Sequence, residues 1–103
     1  MNNTISIGLK VVTFKEGDYY IVYCQALELS SYADSEAKAR KRFVEELNIF
    51  LEETSRKGTL EKLLLQFGWT LTKKPQPIYE PPVFANDTKK YTQSFTERVA
   101  IPI

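Results

Sequence analysis

Residues 5–24 read ISIGLKVVTFKEGDYYIVYC, which is the pattern of a β-hairpin. Apolar residues alternate with polar or small ones over the first seven positions, and this period of two is typical of a strand with one buried face. Glu16-Gly17-Asp18 indicates a turn, and residues 19–24 are rich in β-branched and aromatic side chains. Both sets of alternate residues in that run are apolar, so we expect the second strand to lie centrally with each face covered.

The sequence around this hairpin extends the sheet and leaves one of its faces open. The alternation slips at Val12 and Phe14, which predicts either a bulge or burial of both faces near the end of the first strand. A third, weaker strand is predicted over residues 29–33. One long helix covers only one face of a three-stranded sheet, so the other face needs a cover. The candidates are the proline-rich, apolar-spotted arm that follows the helices, a second subunit or a different protein.

Two helices are predicted after the strands. Asp34 and Ser35 are good N-caps, because a short side-chain oxygen accepts the free N–H groups of a first helical turn. Apolar residues then recur at helical spacing, which predicts a helix over residues 36–55. Lys57-Gly58 ends this helix. A second, short helix is predicted to be capped by Thr59, to end at a left-handed Gly68 and to bury Leu60, Leu63, Leu64 and Phe67.

The chain changes character after Trp69, a residue that we expect to fill the core at the end of the second helix. Four prolines fall within eight residues there, at positions 75, 77, 81 and 82, and they exclude a helix and a central strand. Apolar and aromatic residues are mixed with the prolines, unlike in a flexible linker. A final strand is predicted over residues 91–101.

The sequence therefore predicts an α+β fold, with a three-stranded antiparallel sheet, a long helix and a short helix in the order β-β-β-α-α. An extended proline-rich arm and a C-terminal strand follow. Residues 1–72 are expected to form the α+β domain. Residues 73–103 are expected to belong to the same folding unit or to act as an oligomerisation strap.

Composition excludes several classes of function. The chain has 103 residues, a net charge of +1 and no histidine, so His-based catalysis and nearly all zinc sites are removed. We expect no catalytic residue, no metal and no cofactor. The single cysteine, Cys24, cannot form an internal disulfide and is expected to be a buried structural thiol. No signal peptide or apolar span is visible, which predicts a cytoplasmic protein that does not bind membranes.

Residues 11–52 resemble the HicB-like antitoxin family, whose amino-terminal domain is a partial ribonuclease H-like fold. The resemblance rests on a hairpin ending in Tyr23-Cys24, a Leu27-Glu28-Leu29 segment, the lead Ala33-Asp34-Ser35-Glu36 into a helix, and its close on Phe50-Leu51-Glu52. Gln25 stands where the family usually has proline. The resemblance implies a domain that neutralises a small ribonuclease toxin. Many members of the family carry a carboxy-terminal DNA-binding unit, but the tail here is interrupted by prolines, so that role is not carried over to this chain.

Three functions are compatible with these residues. The leading one is a non-enzymatic domain that binds a protein partner, forms a homodimer or larger oligomer, and contacts the partner through the exposed sheet face and the arm. The arm residues expected to bind are Ile78, Tyr79, Val83 and Phe84. The alternative is an RNA- or DNA-binding regulatory module, with a basic cluster formed by Lys38, Arg40, Lys41 and Arg42.

The third function is a nuclease that holds metal ions with carboxylates alone. Such sites need several acids converging from strands and helices, but the first strand contains no acid from Thr4 to Phe14. Glu16 and Asp18 lie in the predicted turn, and Asp34 and Glu36 open the helix, where capping and the helix dipole already explain them. A structural role for these acids is therefore favoured over a metal site.

Overall fold

A computed structural model describes residues 4–72, 75–83 and 93–102. The predicted hairpin is present as β1 (Thr4–Glu16) and β2 (Tyr19–Cys24). A 3-10 turn over Gln25–Leu27 leads into β3 (Leu29–Ala33). The remaining elements are α1 (Glu36–Lys57), α2 (Leu60–Gln66), β4 (Thr70–Thr72), β5 (Ile78–Glu80) and β6 (Gln93–Pro102).

The hairpin turn is built on Gly17, which has a φ of 61°. Glu16 pairs with Tyr19, so Gly17 and Asp18 form a two-residue loop. Glu28 is the one non-glycine residue with positive φ in the described ranges, hence Asp18 has negative φ. Positive φ at the first loop position alone defines a type II′ turn, whose twist matches that of the flanking strands.

The main sheet has four strands in the order β3-β2-β1-β6, all neighbours antiparallel. The predicted central place of β2 is confirmed, because it lies between β3 and β1. The predicted C-terminal strand is also confirmed, and its partner is β1 of the same chain, with Ile5 opposite Ile101 and Val11 opposite Phe95. Residues 91 and 92, which the prediction included, lie outside the described residues.

Helix α1 forms where the capping signals placed it. Ser35 is the N-cap, and its hydroxyl oxygen accepts the backbone N–H of Lys38 at 3.2 Å. Gly58 ends the helix in the left-handed conformation, with a φ of 72°. The apolar stripe of the helix packs on one face of the sheet and buries Ala39, Phe43, Leu47, Leu51 and Thr54.

The hydrophobic core lies between α1 and that face of the sheet. Alternate β1 residues point into it, and all four from residue 7 to residue 13 are buried: Ile7, Leu9, Val11 and Thr13. Val99, opposite Ile7, and Val22, opposite Thr13, are buried as well. Cys24 of β2 and Ile101 of β6 are also buried.

The slip in the β1 pattern reflects burial of both faces. The register with β2 and with β6 advances one residue at a time through Val12, so no bulge is present there. Val12 is buried on the face opposite α1, while Val11 and Thr13 are buried under the helix. Of the two explanations that the pattern allowed, burial on both sides is the correct one.

Trp69 fills the core beyond α2, as its position predicted. It is buried, and its indole Nε1 donates a hydrogen bond of 2.8 Å to the carbonyl oxygen of Ala26. Gly68 has the predicted positive φ, at 95°. Thr59 occupies the N-cap position of α2, but its side chain makes no capping bond and donates instead to the carbonyl oxygen of Thr54 at 3.5 Å.

Part of the predicted extended arm is a strand. β5 pairs antiparallel with β4 in a separate two-stranded sheet, with Leu71 opposite Tyr79. Neither strand is central, which is compatible with the prolines nearby. No helix in residues 4–72, 75–83 and 93–102 has the length and apolar character needed to cross a membrane.

Candidate protein-binding surface

The face of the sheet opposite α1, hereafter the open face, carries the candidate site. The strand register places Tyr19, Ile21 and Tyr23 of β2 on this face, next to Ser30 and Tyr32 of β3. β1 and β6 continue it with Ser6, Lys10, Ser94, Thr96 and Arg98, all exposed.

The exposed apolar part of the open face lies at the hairpin end of the sheet. Tyr19 is 52% and Tyr32 61% exposed, with Ile21 half-buried beside them. Toward the middle of the sheet Val12 is buried on the same face. On this face the apolar side chains are therefore more exposed toward the hairpin end of β2 and β3, where the aromatic rings contact solvent.

The two tyrosines there form an aromatic corner. Tyr32 lies opposite Ile21 and diagonally across from Tyr19, a distance that aromatic side chains span. Their ring centroids are 5.6 Å apart, and the ring planes meet at 88°. The two rings border a shallow pocket of about 350 Å³. Its lining consists of Glu16, Tyr19, Ile21, Ser30, Ser31 and Tyr32.

The described arm residues that are predicted to bind a partner differ in exposure. Tyr79 is buried, at 5% exposure, and its hydroxyl group donates to Glu61 Oε1 at 3.3 Å. Its side chain therefore belongs to the core of its own chain. Ile78 is exposed and Val83 is 99% exposed. Phe84 lies outside the described residues, so the partner-binding role of the arm stays a prediction.

The basic cluster is divided between different sides of α1. Lys38 forms an exposed ion pair with Asp34, at 3.2 Å. Arg42 donates to the carbonyl oxygen of Tyr32 at 3.0 Å, at the outer edge of β3. Arg40 points the other way, toward β6, because residues two apart differ by about 200° around a helix. Lys41 is exposed.

Arg40 contacts an aromatic ring and an acidic side chain. Its guanidinium lies 4.1 Å from the ring centroid of Phe95 and 3.3 Å from Glu36 Oε1. Glu36 also accepts a bond of 3.4 Å from the hydroxyl group of Thr13. These contacts join the first turn of α1 to β1 and β6. Arg40 therefore contacts β6 and Arg42 contacts β3, and the nucleic-acid-binding role of the basic cluster stays a prediction.

The acidic side chains and the Cys24 thiol do not form a metal-binding cluster in the part of the chain that the structure describes. No three His, Cys, Asp or Glu side chains there come close enough to hold a metal ion. Cys24 is fully buried. Desolvation raises the pKa of its thiol, and backbone N–H groups of Leu27 and Ala26 oppose this only in part. A protonated, enclosed thiol is a poor nucleophile, which agrees with the structural role expected for Cys24.

Sequence reasoning located the exposed sheet face but missed the aromatic corner. The available signal was the doubly apolar pattern of residues 19–24, which indicated that both faces of β2 carry hydrophobic side chains. The proximity of Tyr19 and Tyr32 depends on the β2–β3 register, which the sequence alone did not specify.

No protein-family model, curated protein or solved structure matches this chain.

Proposed function

We propose that this chain is a non-catalytic domain that holds a protein partner on the open face of its sheet. The observation that carries the proposal is the exposed aromatic corner of Tyr19 and Tyr32 beside Ile21. Tyrosines are enriched at protein interfaces, because each buries a large area at a low cost in side-chain entropy. A partner seated on this face would remove that apolar surface from water.

The resemblance of residues 11–52 to HicB-like antitoxins suggests the class of partner. Under this proposal the partner is a small basic ribonuclease, and the chain acts by covering it rather than by chemistry of its own. The absence of histidine from the sequence supports a non-catalytic role, since it removes the commonest general acid and base.

The proposal includes self-association into a homodimer or larger oligomer. In the described residues β6 has a strand on one side only, and it is ten residues long. A long edge strand presents unpaired N–H and C=O groups on which a second sheet can continue. Light scattering coupled to size-exclusion chromatography should give at least twice the mass of one chain, 11.9 kDa. A monomer at every concentration tested would contradict self-association.

The partner-binding role is tested by co-expression with the product of the adjacent reading frame. We expect a stable complex that survives purification, together with relief of any growth arrest that the neighbouring protein causes when it is expressed alone. The two purified proteins should also bind each other when mixed at micromolar concentration. Failure to form a complex in both experiments would refute the role.

A further inference from the structure

The pocket at the aromatic corner has the composition of a site for a positively charged side chain. Tyr19 and Tyr32 form two walls at nearly a right angle, and the acidic residue Glu16 belongs to the same lining. The π-face of an aromatic ring attracts cations, and cages of perpendicular rings are used to bind ammonium groups. Glu16 is exposed and pairs with Tyr19 across the hairpin, on the open face.

We propose that this pocket accepts an arginine side chain of a basic protein partner. The inference rests on the proposed function, and it adds the chemistry by which the open face recognises its partner. A planar guanidinium can stack on a tyrosine ring while donating a pair of hydrogen bonds to a carboxylate. A volume of about 350 Å³ is at the lower end for ligand sites, which suits one side chain better than a cofactor.

Charge complementarity distinguishes this occupant from an apolar one. An aliphatic side chain seated in the pocket would take water away from the carboxylate of Glu16 without replacing its hydrogen bonds, which is unfavourable. A guanidinium replaces those bonds. Asp18, in the adjoining turn, adds a second negative charge to this end of the sheet.

Two described cations near this end of the sheet, Lys15 and Arg42, lie outside the pocket lining. Lys15 lies over the ring of Tyr20, at 5.5 Å from its centroid, and that pair is on the face that α1 covers. Arg42 contacts Tyr32 at its backbone carbonyl oxygen, from the helix on the other side of the sheet. Neither Lys15 nor Arg42 belongs to the pocket lining.

The test is an amide-resolved NMR titration of the full chain with Nα-acetyl-arginine amide, using Nα-acetyl-citrulline amide as the neutral isostere. A site with a Kd near 1 mM is largely saturated at about 20 mM probe. We expect shifts confined to residues 16–21 and 30–32 with the arginine probe and at most weak shifts with citrulline.

Two variants with the same change of charge make the titration specific. Glu16→Gln should weaken arginine binding by about threefold or more, whereas Asp18→Asn, which alters an acid outside the pocket lining, should change it by less than about twofold. Tyr32→Leu, which keeps an apolar wall without a π-face, should also weaken binding by about two- to fivefold.

Equal shifts with both probes, or shifts that Glu16→Gln leaves unchanged, would overturn the arginine site. Absence of binding up to the highest probe concentration would overturn it as well. The proposed function is judged separately, by complex formation with the protein partner. A complex without arginine binding refutes only the pocket, and arginine binding without a complex refutes only the partner role.

Discussion

Replacing Trp69 with phenylalanine should destabilise the fold severely, because Trp69 joins two distant parts of the chain. Its Nε1 donates a 2.8 Å hydrogen bond to the carbonyl oxygen of Ala26, and both residues are buried. Phenylalanine has no donor, so the carbonyl oxygen would lose its partner, at a cost of about 1–3 kcal/mol. The smaller ring would also leave a cavity, adding about 1 kcal/mol.

The expected total of about 2–4 kcal/mol is a large part of the 5–15 kcal/mol typical of a domain. Urea unfolding followed by far-UV circular dichroism measures it directly. Leu65→Ala is the control, because Leu65 lies in the neighbouring helix α2 and is 57% exposed; it should change stability by less than about 0.5 kcal/mol. A loss below about 0.5 kcal/mol for Trp69→Phe, with an unchanged m-value, would refute the role assigned to this bond.

Three further perturbations test other parts of the fold. Gly17→Ala should cost about 1–2 kcal/mol in urea unfolding, because its φ of 61° is unfavourable for any residue with a Cβ; a neutral result would contradict the type II′ turn. Burial raises the pKa of Cys24 above its ordinary value of 9.0, so above that pH the unfolded state binds fewer protons and stability falls by up to about 1.4 kcal/mol per pH unit. Cys24→Ala should lack this component, and identical pH profiles for the two proteins would disprove it. Arg40→Ala should cost about 1–2 kcal/mol, through lost packing on Phe95, whereas exposed Arg42→Ala should cost less than about 0.5 kcal/mol; equal losses would contradict the division of the basic cluster.

Local signals in the sequence account for most of the fold. The cap at Ser35 and the glycine at position 58 bracket α1 to within two residues of the predicted bounds. The turn at Gly17 fixes the hairpin, and its two-residue loop sets the β1–β2 register. These features are predictable because each is determined by the conformational preference of one or two neighbouring residues.

Pairings between distant segments could not be derived in the same way. β6 pairs with a strand 80 to 98 residues earlier, from Thr13 opposite Gln93 to Thr4 opposite Pro102. Alternation within β6 does not say which strand it joins. The four nearby prolines predict an extended arm, whereas residues 78–80 form β5 and pair with β4 over three residues. An extended arm would leave Tyr79 available to a partner, but its pairing with Leu71 and its hydrogen bond to Glu61 hold it inside the chain.

The candidate site was predictable in location and not in chemistry. The apolar pattern on both sides of β2 indicated a second hydrophobic face. The perpendicular tyrosines arise from a diagonal relation across two strands, which only the register reveals. Helical geometry predicts that the side chains of Arg40 and Arg42 point in different directions, since successive residues turn by about 100° around the helix. The number of charges along the chain does not contain this information.

The most direct test of the open face as a binding surface compares two lysine substitutions in calorimetric titrations with the protein encoded by the adjacent reading frame. Tyr32→Lys places a positive charge in the aromatic corner, whereas Ile49→Lys makes the same change of charge on α1; the native residues are 61% and 55% exposed. We predict that Tyr32→Lys weakens binding by about tenfold or more, as expected for a tyrosine at the centre of an interface, and that Ile49→Lys alters it by less than about twofold. Equal affinities for the wild-type chain and Tyr32→Lys, with both proteins folded, would contradict the account.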